Sequence, residues 1–402
     1  MKQALKRLKA LVRLATGRRP PVCRDLAEWV ALRPDAELIG SIPEELLATR
    51  ALPSNASSVP RFASECQVRT FDRSVVRLEG VRLHGGEGML ELPDGKFVLQ
   101  TVWYPRQLVM HPDYYRRDKR TATPLAGTWH PLIAYWSRSY YHWLVETLPL
   151  LHGLEILLPN GTRHIVPGPM SRYHRESLEL LGLEPGQYRE VRPDEVLELE
   201  SAFVATPATV TYAELPDSML SPHWLDVLRE RPFAGPFNHS PTGLRWVAEK
   251  MVAAAAVAAT GPPPPRRIFI TRRLASCRRL NDRDLAQVFS KHQIVVLAIE
   301  ELSLVEQVRL FHHAELVVAP HGAGLSNLMF CNAGTRVLEI FEPSVVRLCY
   351  WSISDTFRLE YDFLMGRPLP SPGMDPDIHI APTVLDEALT RLLLKPILRT
   401  IS

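Results

Sequence analysis

The stretch VVAPHGAGLSNLMF places a histidine and two glycines directly after an apolar run. The run reads as a buried strand and LSNLMFC as a short helix, so His321, Gly322 and Gly324 lie at a strand-to-helix turn. Glycines let a ligand approach the backbone, and the first N–H groups of the helix can bind an anion. The alternative is a tight turn without a ligand, because one glycine-bearing turn is a weak signal.

Arginines follow an earlier strand-like segment, in IFITRRLASCRRLND. They are Arg272, Arg273, Arg278 and Arg279. Loops at the carboxyl ends of parallel strands meet at one edge of a sheet, so these side chains could share a site with His321. Guanidinium forks suit bidentate phosphate contacts, and a diphosphate would fit between them and the helix amides. The alternative is a solvated basic loop. The sequence has no GxxxxGK[ST] motif, which argues against nucleotide hydrolysis by that machinery.

A third stretch, RSYYHWLVETLPLL, pairs a histidine with a carboxylate. His142 and Glu146 are four residues apart and therefore share one face of a predicted helix, with Tyr140, Tyr141 and Trp143 around them. A histidine and a carboxylate one turn apart can orient each other, which makes them candidates for a general base in an aromatic, sugar-friendly surface. The alternative is that Trp143 is core and His142 is a buried structural histidine.

Alternating strand and helix patterns predict the scaffold that positions these residues. In a first half, strands are predicted at 131–136, 163–168 and 195–206, and helices at 140–157 and 171–183. After an Ala-rich helix and the stiff linker GPPPP, the second half predicts strands at 266–271, 293–299, 315–320 and 336–341. Its helices are predicted at 281–292, capped by Asn281 or Asp282, and at 303–314, where Ser303 and Glu306 form a capping box. Two Rossmann-like α/β domains facing a cleft are therefore expected, preceded by a small β-rich lead-in.

Composition narrows the class. The chain has 402 residues, of which 46% are apolar and 23% charged, and its net charge is +3, too small to argue for nucleic acid. Its five cysteines form no CxxC pair, which argues against zinc and fits a reducing compartment. No apolar run is long enough to span a bilayer. The first twenty residues form a basic amphipathic pattern that can lie on an anionic membrane surface; an exposed basic tail is the alternative.

Several of these stretches together resemble glycosyltransferase family 61, in its bacterial capsule and polysaccharide-biosynthesis branch. They are YYHWLVETLPLL, FITRR followed by RRLND, EQVRLF, HGAGLSNLMF and VLEIFEP, in this order. The resemblance covers roughly Trp129 to Pro343, and HGAGLSN is its most diagnostic element.

The resemblance implies a GT-B fold and inverting transfer from a nucleotide-diphosphate sugar, with UDP-sugar expected and no metal or other cofactor required. The sequence patterns divide the chain into a basic helix and β-rich lead-in (1–125), two Rossmann-like domains (126–240 and 241–382) and a C-terminal helix (383–402). The resemblance makes the first Rossmann-like domain the acceptor side and the second the nucleotide-sugar-binding domain. The partners that the resemblance implies are the donor and a glycan or lipid-linked acceptor. The expected location is cytoplasmic, with peripheral association at the inner membrane face.

Site residues carried over from the family fall into two groups. His142 and Glu146 match the HW…E/D element that supplies the base, and which of the two is the base stays open. The donor-binding positions are Arg272, Arg273, Arg279, His321, Gly322, Ala323, Gly324, Ser326, Asn327 and Glu339. Glu339 would reach the ribose, unless it is a structural strand glutamate. The rival functions are a non-catalytic nucleotide-sugar or glycan-binding partner, and another GT-B-like enzyme such as an epimerase or pyruvyl transferase.

Overall fold

A computed structural model describes residues 22–34, 36–44, 46–86, 88–101, 121–134, 136–208, 239–258, 261–373 and 375–394. The predicted N-terminal basic helix lies outside these residues. The strands are β1 (Val22–Cys23), β2 (Ala36–Ile42), β3 (Leu46–Thr49), β4 (Gln67–Thr70), β5 (Arg73–His84), β6 (Met89–Glu91), β7 (Phe97–Val98), β8 (Thr123–Pro131), β9 (Arg163–Pro167), β10 (Tyr188–Val191), β11 (Val196–Ala205), β12 (Arg267–Ile270), β13 (Val295–Leu297), β14 (Leu316–Pro320), β15 (Arg336–Phe341), β16 (Glu360–Met365), β17 (Arg367–Leu369) and β18 (Asp377–His379).

The helices alternate with these strands. The α-helices are α1 (Leu26–Ala31), α2 (Arg61–Ser64), α3 (Leu154–Leu157), α4 (Arg172–Leu180), α5 (Pro241–Val257), α6 (Ala286–Lys291), α7 (Leu304–His313), α8 (Cys349–Thr356) and α9 (Pro382–Leu394). A π-helix spans His142–Thr147, and 3₁₀ helices include Leu148–Leu151 and Ala323–Phe330.

The chain divides into two compact units. Unit 1 comprises 1–47, 69–171 and 183–235, and unit 2 comprises 48–68, 172–182 and 236–402. These boundaries differ from the predicted ones. The lead-in does not stand apart, because its strands β2, β5, β6 and β7 belong to the same sheet as β8 to β11.

Unit 1 is built on a nine-stranded mixed sheet. The strands β11, β8, β9 and β10 lie side by side and are parallel, while β5 runs antiparallel to β11 and continues the sheet into β6, β7 and β1. Its core consists of aliphatic side chains from these strands, such as Val76, Leu83 and Leu197, packed with Trp29 of α1. The sheet carries β8 and β9, whose carboxyl ends lead into the loops around the His142 segment.

Unit 2 is built on a fully parallel five-stranded sheet. Its strand order is β13-β12-β14-β15-β16, and all four pairings are parallel. Numbered within the unit this is the 2-1-3-4-5 order of doubly wound sheets, in which ligands bind beyond the carboxyl ends of the first and third strands. Here those strands are β12 and β14, so the switch point lies between the arginine loop and the glycine turn.

Residues 48–68 contribute to the core of unit 2 although they precede its main segment, 236–402, by 168 residues. Phe62 of α2 stacks on Phe363 with ring centroids 4.9 Å apart and meets the edge of Trp351 at 5.0 Å. The backbone follows the same course, since Trp351 donates its indole N–H to the carbonyl of Ala51 at 2.9 Å. This segment is therefore tied to α8 and β16 by both packing and hydrogen bonds.

Most predicted elements of unit 2 form where expected, and the capping box of α7 is confirmed: Ser303 accepts from the N–H of Glu306, whose side chain accepts from the N–H of Ser303. The helix predicted over 281–292 is shorter, because Asn281 binds Asp284 and the Ile380 carbonyl instead of capping it. The predicted strand 131–136 is wrong; β8 ends at Pro131.

The helix predicted over 140–157 is broken into π, 3₁₀ and α segments. Pro149 has no N–H to continue an α-helix, which explains the break. In the described part of the chain, no helix is both long and apolar enough to cross a membrane.

Candidate active site

His142 and Glu146 face each other across one turn of the π-helix. The wider turn is made by the N–H of Leu148, which donates to the carbonyl of Trp143, and by the Thr147 hydroxyl, which donates to the carbonyl of His142 at 2.9 Å. Such single turns of π-helix occur often at functional sites. The His142 Nδ1 forms a short hydrogen bond with the Glu146 carboxylate. The structure therefore brings together the two residues that the sequence paired.

The two side chains differ in solvent exposure. The Glu146 side chain is 5% exposed, whereas that of His142 is 23% exposed. Burial raises the pKa of Glu146, and the neighbouring His142 opposes that rise. With Nδ1–H donating to Glu146, the outward ring nitrogen of His142, Nε2, keeps its lone pair and can accept a proton. The arrangement is that of a base with a carboxylate that orients it.

Two arginines fix the ends of the segment that carries His142. Arg138, before it, donates to four backbone carbonyls, those of Gly85, Gly86, Gly168 and Val191, at 2.7–3.1 Å. Arg73 of β5 holds the other end: it is 1% exposed and donates to the carbonyls of Leu150 and His152 at 2.7 and 3.0 Å, satisfying the end of the 3₁₀ helix. Arg138, four residues before His142, is thus a structural clamp. Arg73 gave no signal in the sequence because its role depends on long-range contacts.

At the switch point of unit 2, the Arg272 guanidinium lies directly against Gly322. A Cβ added to Gly322 would lie 2.1 Å from Nη1 of Arg272 and 3.0 Å from its Cζ. The φ of Gly322 is 178°, an extended value open to any residue, so space and not backbone conformation requires glycine here. Leu325 donates to the carbonyl of Gly322, which leaves the N–H groups of Ala323 and Gly324 without a partner inside the 3₁₀ helix. A cation and two such N–H groups therefore lie at one turn.

His321 is buried and held by a strand carboxylate. Its Nδ1 is 2.5 Å from Oε1 of Glu339, whose Oε2 accepts from the Tyr361 hydroxyl at 2.6 Å. Burial, together with Arg278, Arg347 and Arg272, keeps the pKa of His321 well below its usual value, so its ring is neutral. Burial raises the pKa of Glu339 well above its usual value. Glu339 is fully buried and positions His321, which favours the structural alternative over a ribose contact.

The polar side chains further along the helix face inward. Asn327 is fully buried and donates to Gln307 Oε1 and the Gly324 carbonyl at 3.0 and 3.1 Å. Ser326 is fully buried as well, and its hydroxyl has no hydrogen-bond partner among the described residues. A Cβ on Gly324 would lie 2.7 Å from Cδ1 of Ile299, so this glycine serves helix packing. Asn327 and Gly324 therefore serve the hydrogen bonding and packing of the helix itself, and its first backbone N–H groups, together with Arg272, remain to meet a ligand.

The remaining predicted arginines are paired with carboxylates. Arg279 binds Asp377 through Nε and Nη2 at 2.9 and 2.6 Å. Arg273 is 55% exposed and contacts Glu301 at 3.1 Å. Asp375, two residues before Asp377, also binds an arginine, since it pairs with Arg278 at 3.3 Å. The loop is anchored by these pairs.

Arg278 belongs to the predicted arginine loop but not to the donor-binding positions that the family resemblance implies. Its φ is +56°, in the left-handed region, and its side chain is only 17% exposed. Its charge lowers the pKa of His321 and of Glu339. Arg347, exposed just before α8, also lowers the pKa of His321. The switch point is thus surrounded by cations, a field suited to an anionic ligand. No group of three or more His, Cys, Asp or Glu in the described ranges could hold a metal ion.

Residues 140–338 match the family model described as Glycosyltransferase 61. The matched range begins just before His142 and ends just before Glu339, so it contains the His142–Glu146 pair and the switch point. No curated protein matches the chain.

Proposed function

Because the chain belongs to glycosyltransferase family 61 and is a glycosyltransferase, we propose that it moves a sugar from a nucleotide-diphosphate sugar to a glycan or lipid-linked glycan acceptor, with inversion, in surface polysaccharide biosynthesis. The observation that supports this most is the contact of Arg272 with Gly322. It puts a guanidinium beside the N–H groups of Ala323 and Gly324, where a diphosphate would be bound by charge and by backbone donors together.

In the reaction we propose, an acceptor hydroxyl attacks the anomeric carbon of the donor. The carbon–oxygen bond to the diphosphate breaks, and the hydroxyl proton passes to Nε2 of His142, whose Nδ1–H is held by Glu146. Preorganised donors at the switch point stabilise the charge that develops on the leaving diphosphate, an effect that is usually the largest single contribution in such sites. Arg278 adds a second cation to Arg272 at this point.

The finer parts of the proposal rest on the family resemblance. They are the GT-B organisation, UDP-sugar as donor, independence of metal ions, the role in a bacterial capsule or exopolysaccharide, and a cytoplasmic site of action at the inner membrane face. They can be tested one at a time. The donor comes first, because every other property is measured with it.

A thermal-shift screen identifies the donor. The panel contains UDP and GDP and their glucose, galactose, N-acetylglucosamine, xylose and mannose conjugates, with and without EDTA. A nucleotide bound at 100 times its Kd stabilises the fold by about 2.7 kcal/mol, which gives a readily measured rise in Tm. Arg272→Lys keeps the charge but loses the planar fork, and should weaken binding about tenfold or more. Arg391→Lys, on the exposed face of α9, is the matched control and should bind like the wild type.

The outcomes separate the rival functions. Release of nucleoside diphosphate with acceptor present supports transfer. Tight binding of a nucleotide-sugar without any release would instead identify a non-catalytic binding partner. Unchanged affinity in a folded Arg272→Lys protein would contradict the proposed diphosphate site.

A further inference from the structure

One large aromatic ring beside His142 is exposed. Trp136 is 46% exposed, whereas Trp29, Trp129 and Trp143 of the same unit are 9% exposed or less. A single exposed apolar residue is ordinary in itself. Trp136 is set apart by its backbone conformation and by its position beside His142.

Trp136 is held in a backbone conformation that a bulky residue rarely adopts. Its φ is +59°, in the left-handed region favoured by glycine and asparagine. Ser139 fixes the turn, because both its N–H and its hydroxyl donate to the Trp136 carbonyl, at 2.8 and 2.9 Å. Such strained residues persist where the surroundings hold them and cluster at binding and catalytic sites. The chain retains a strained tryptophan where glycine would fit without strain.

The ring of Trp136 lies next to the candidate base. The centroids of the Trp136 and His142 rings are 5.0 Å apart and their planes are inclined by 51°. Tyr141 meets the His142 ring edge-on with a centroid distance of 5.1 Å, and it is buried. Among the described residues, the Trp136 ring beside His142 is thus partly exposed, whereas the Tyr141 ring is buried.

We propose that Trp136 is the platform on which the acceptor sugar stacks, next to His142. This inference rests on the proposed function and names the acceptor class: a hexopyranoside with a face of C–H groups, as in the gluco and galacto configurations. The face of the indole ring carries the negative part of its quadrupole and attracts the positively polarised hydrogens of C–H bonds. The hydroxyls project from the rim of a stacked sugar, where one of them can reach Nε2 of His142.

Saturation-transfer difference NMR with methyl β-D-glucopyranoside and methyl β-D-galactopyranoside tests the platform directly. In the wild type, saturation should be strongest at the ring protons of one face. Trp136→Gly removes the ring and relieves the left-handed strain, so the protein should fold and lose this signal. Trp136→Phe keeps an aromatic face and should retain it in part. Leu32→Ala, at a site 84% exposed in the same unit, controls for loss of an exposed apolar side chain and should leave the signal unchanged.

Kinetics with the cognate nucleotide-sugar complete the test. Trp136→Gly should raise KM for the glycoside acceptor about tenfold or more, with the donor KM within twofold. Saturation transfer to the glycoside without binding of any nucleotide-sugar would support the sugar platform and contradict the proposed transferase mechanism. Donor turnover with equal acceptor KM in wild type and Trp136→Gly would overturn the platform alone. The platform would also be overturned if Trp136→Gly changed the oligomeric state and kept the saturation transfer. The ring would then belong to an interface between copies of the chain.

Discussion

Glu146 and His142 form a pair in which only one member reaches solvent. Glu146 is almost completely buried, and its carboxylate is occupied by Nδ1 of the histidine. A base must come within hydrogen-bond distance of the acceptor hydroxyl, and geometry decides before pKa does. At the scale of single residues, exposure therefore favours His142 as the base of the proposed reaction and Glu146 as the group that orients its ring.

The first prediction concerns this division of roles. His142→Ala should lower the transfer rate by about a hundredfold to ten-thousandfold, the usual loss when a general base is removed. Added imidazole should restore part of that rate, because it supplies the missing base. Glu146→Gln should also lower the rate, since an amide N–H facing Nδ1 favours the wrong tautomer, and imidazole should not restore it. Transfer rates and melting curves are measured side by side.

A second buried His–Glu pair in unit 1 provides the control. His84 lies 3.0 Å from Glu91, and both are buried. His84→Ala should lower the Tm, because Glu91 loses its partner, yet leave the rate per folded molecule close to that of the wild type. If folded His142→Ala keeps full transfer and Glu146→Gln abolishes it, then Glu146 is the base.

At the scale of elements, the two glycines after β14 have different neighbours. Gly322 faces the Arg272 guanidinium, and Gly324 faces Ile299 and Ile270. The missing side chain of Gly324 therefore makes room for the packing of its own helix, and the expectation that this glycine also admits a ligand stays a prediction. Neither φ lies in the left-handed region, so alanine can be introduced at both without backbone strain.

The second prediction compares Gly322→Ala with Gly324→Ala. At position 322 the new methyl group must displace the arginine fork, so nucleotide affinity should fall about tenfold while the Tm changes little. At position 324 Ile299 must move, and overpacking of this kind costs about 1–3 kcal/mol, which lowers the Tm with affinity retained. Thermal shifts with and without the cognate nucleotide measure both quantities. Equal loss of affinity in the two variants would show that backbone access at Gly324 matters after all.

Across the whole molecule, local patterns predicted the elements of unit 2 and strands β9 and β11 of unit 1, but not the ends of β8 or the broken helix over 140–157. The parallel strands β12, β14 and β15 have short apolar runs, and the Ser303–Glu306 box marks a helix start, so each element is encoded in its own residues. The break at Pro149 is encoded locally too, because proline has no N–H to continue an α-helix. The contribution of residues 48–68 to unit 2 was not readable, because it depends on contacts such as Phe62 with Trp351 across almost three hundred residues.

The candidate site shows the same limit. Spacing on a helix predicted that His142 and Glu146 would meet, and topology predicted that the loops after β12 and β14 would share an edge. Which arginine faces the glycine turn was not predictable, because Arg273 and Arg279 have partners, Glu301 and Asp377, that lie far from them in sequence. Sequence reasoning therefore predicted which segments lie together but did not rank their side chains.

Acid should destabilise the folded chain through its buried histidines. Burial lowers the pKa of His164 to about 4 and that of His239 to about 3, with Arg50 and Arg245 contributing at His239. An unfolded histidine has a pKa of about 6.5. Between these values the unfolded chain binds protons that the folded chain excludes, so stability is present above pH 6.5 and is lost as the pH falls toward 4 or 3. Burial raises the pKa of Glu146, which opposes this effect below neutral pH.

The last prediction isolates one of these histidines. Nε2 of His239 lies 2.8 Å from the Thr356 hydroxyl, which donates to Ser352; Nδ1 lies 3.4 Å from the Ser352 hydroxyl. Neutral His239 satisfies both contacts, and protonation would remove the acceptor at Nδ1. Relative to His239→Gln, the wild type should lose about 2 kcal/mol of unfolding free energy between pH 6 and pH 4.5, by proton linkage.

Urea unfolding of both proteins at several pH values measures this difference, and His313→Gln, at a partly exposed histidine of the same unit, controls for the loss of one imidazole. The gap between wild type and His239→Gln should be largest near pH 7 and should close steadily as the pH falls. A gap that stays constant from pH 7 to pH 4.5 would mean that His239 takes up a proton equally in the folded and unfolded chains. Its burial would then have to be relieved by solvent entering beside α8 in the folded state.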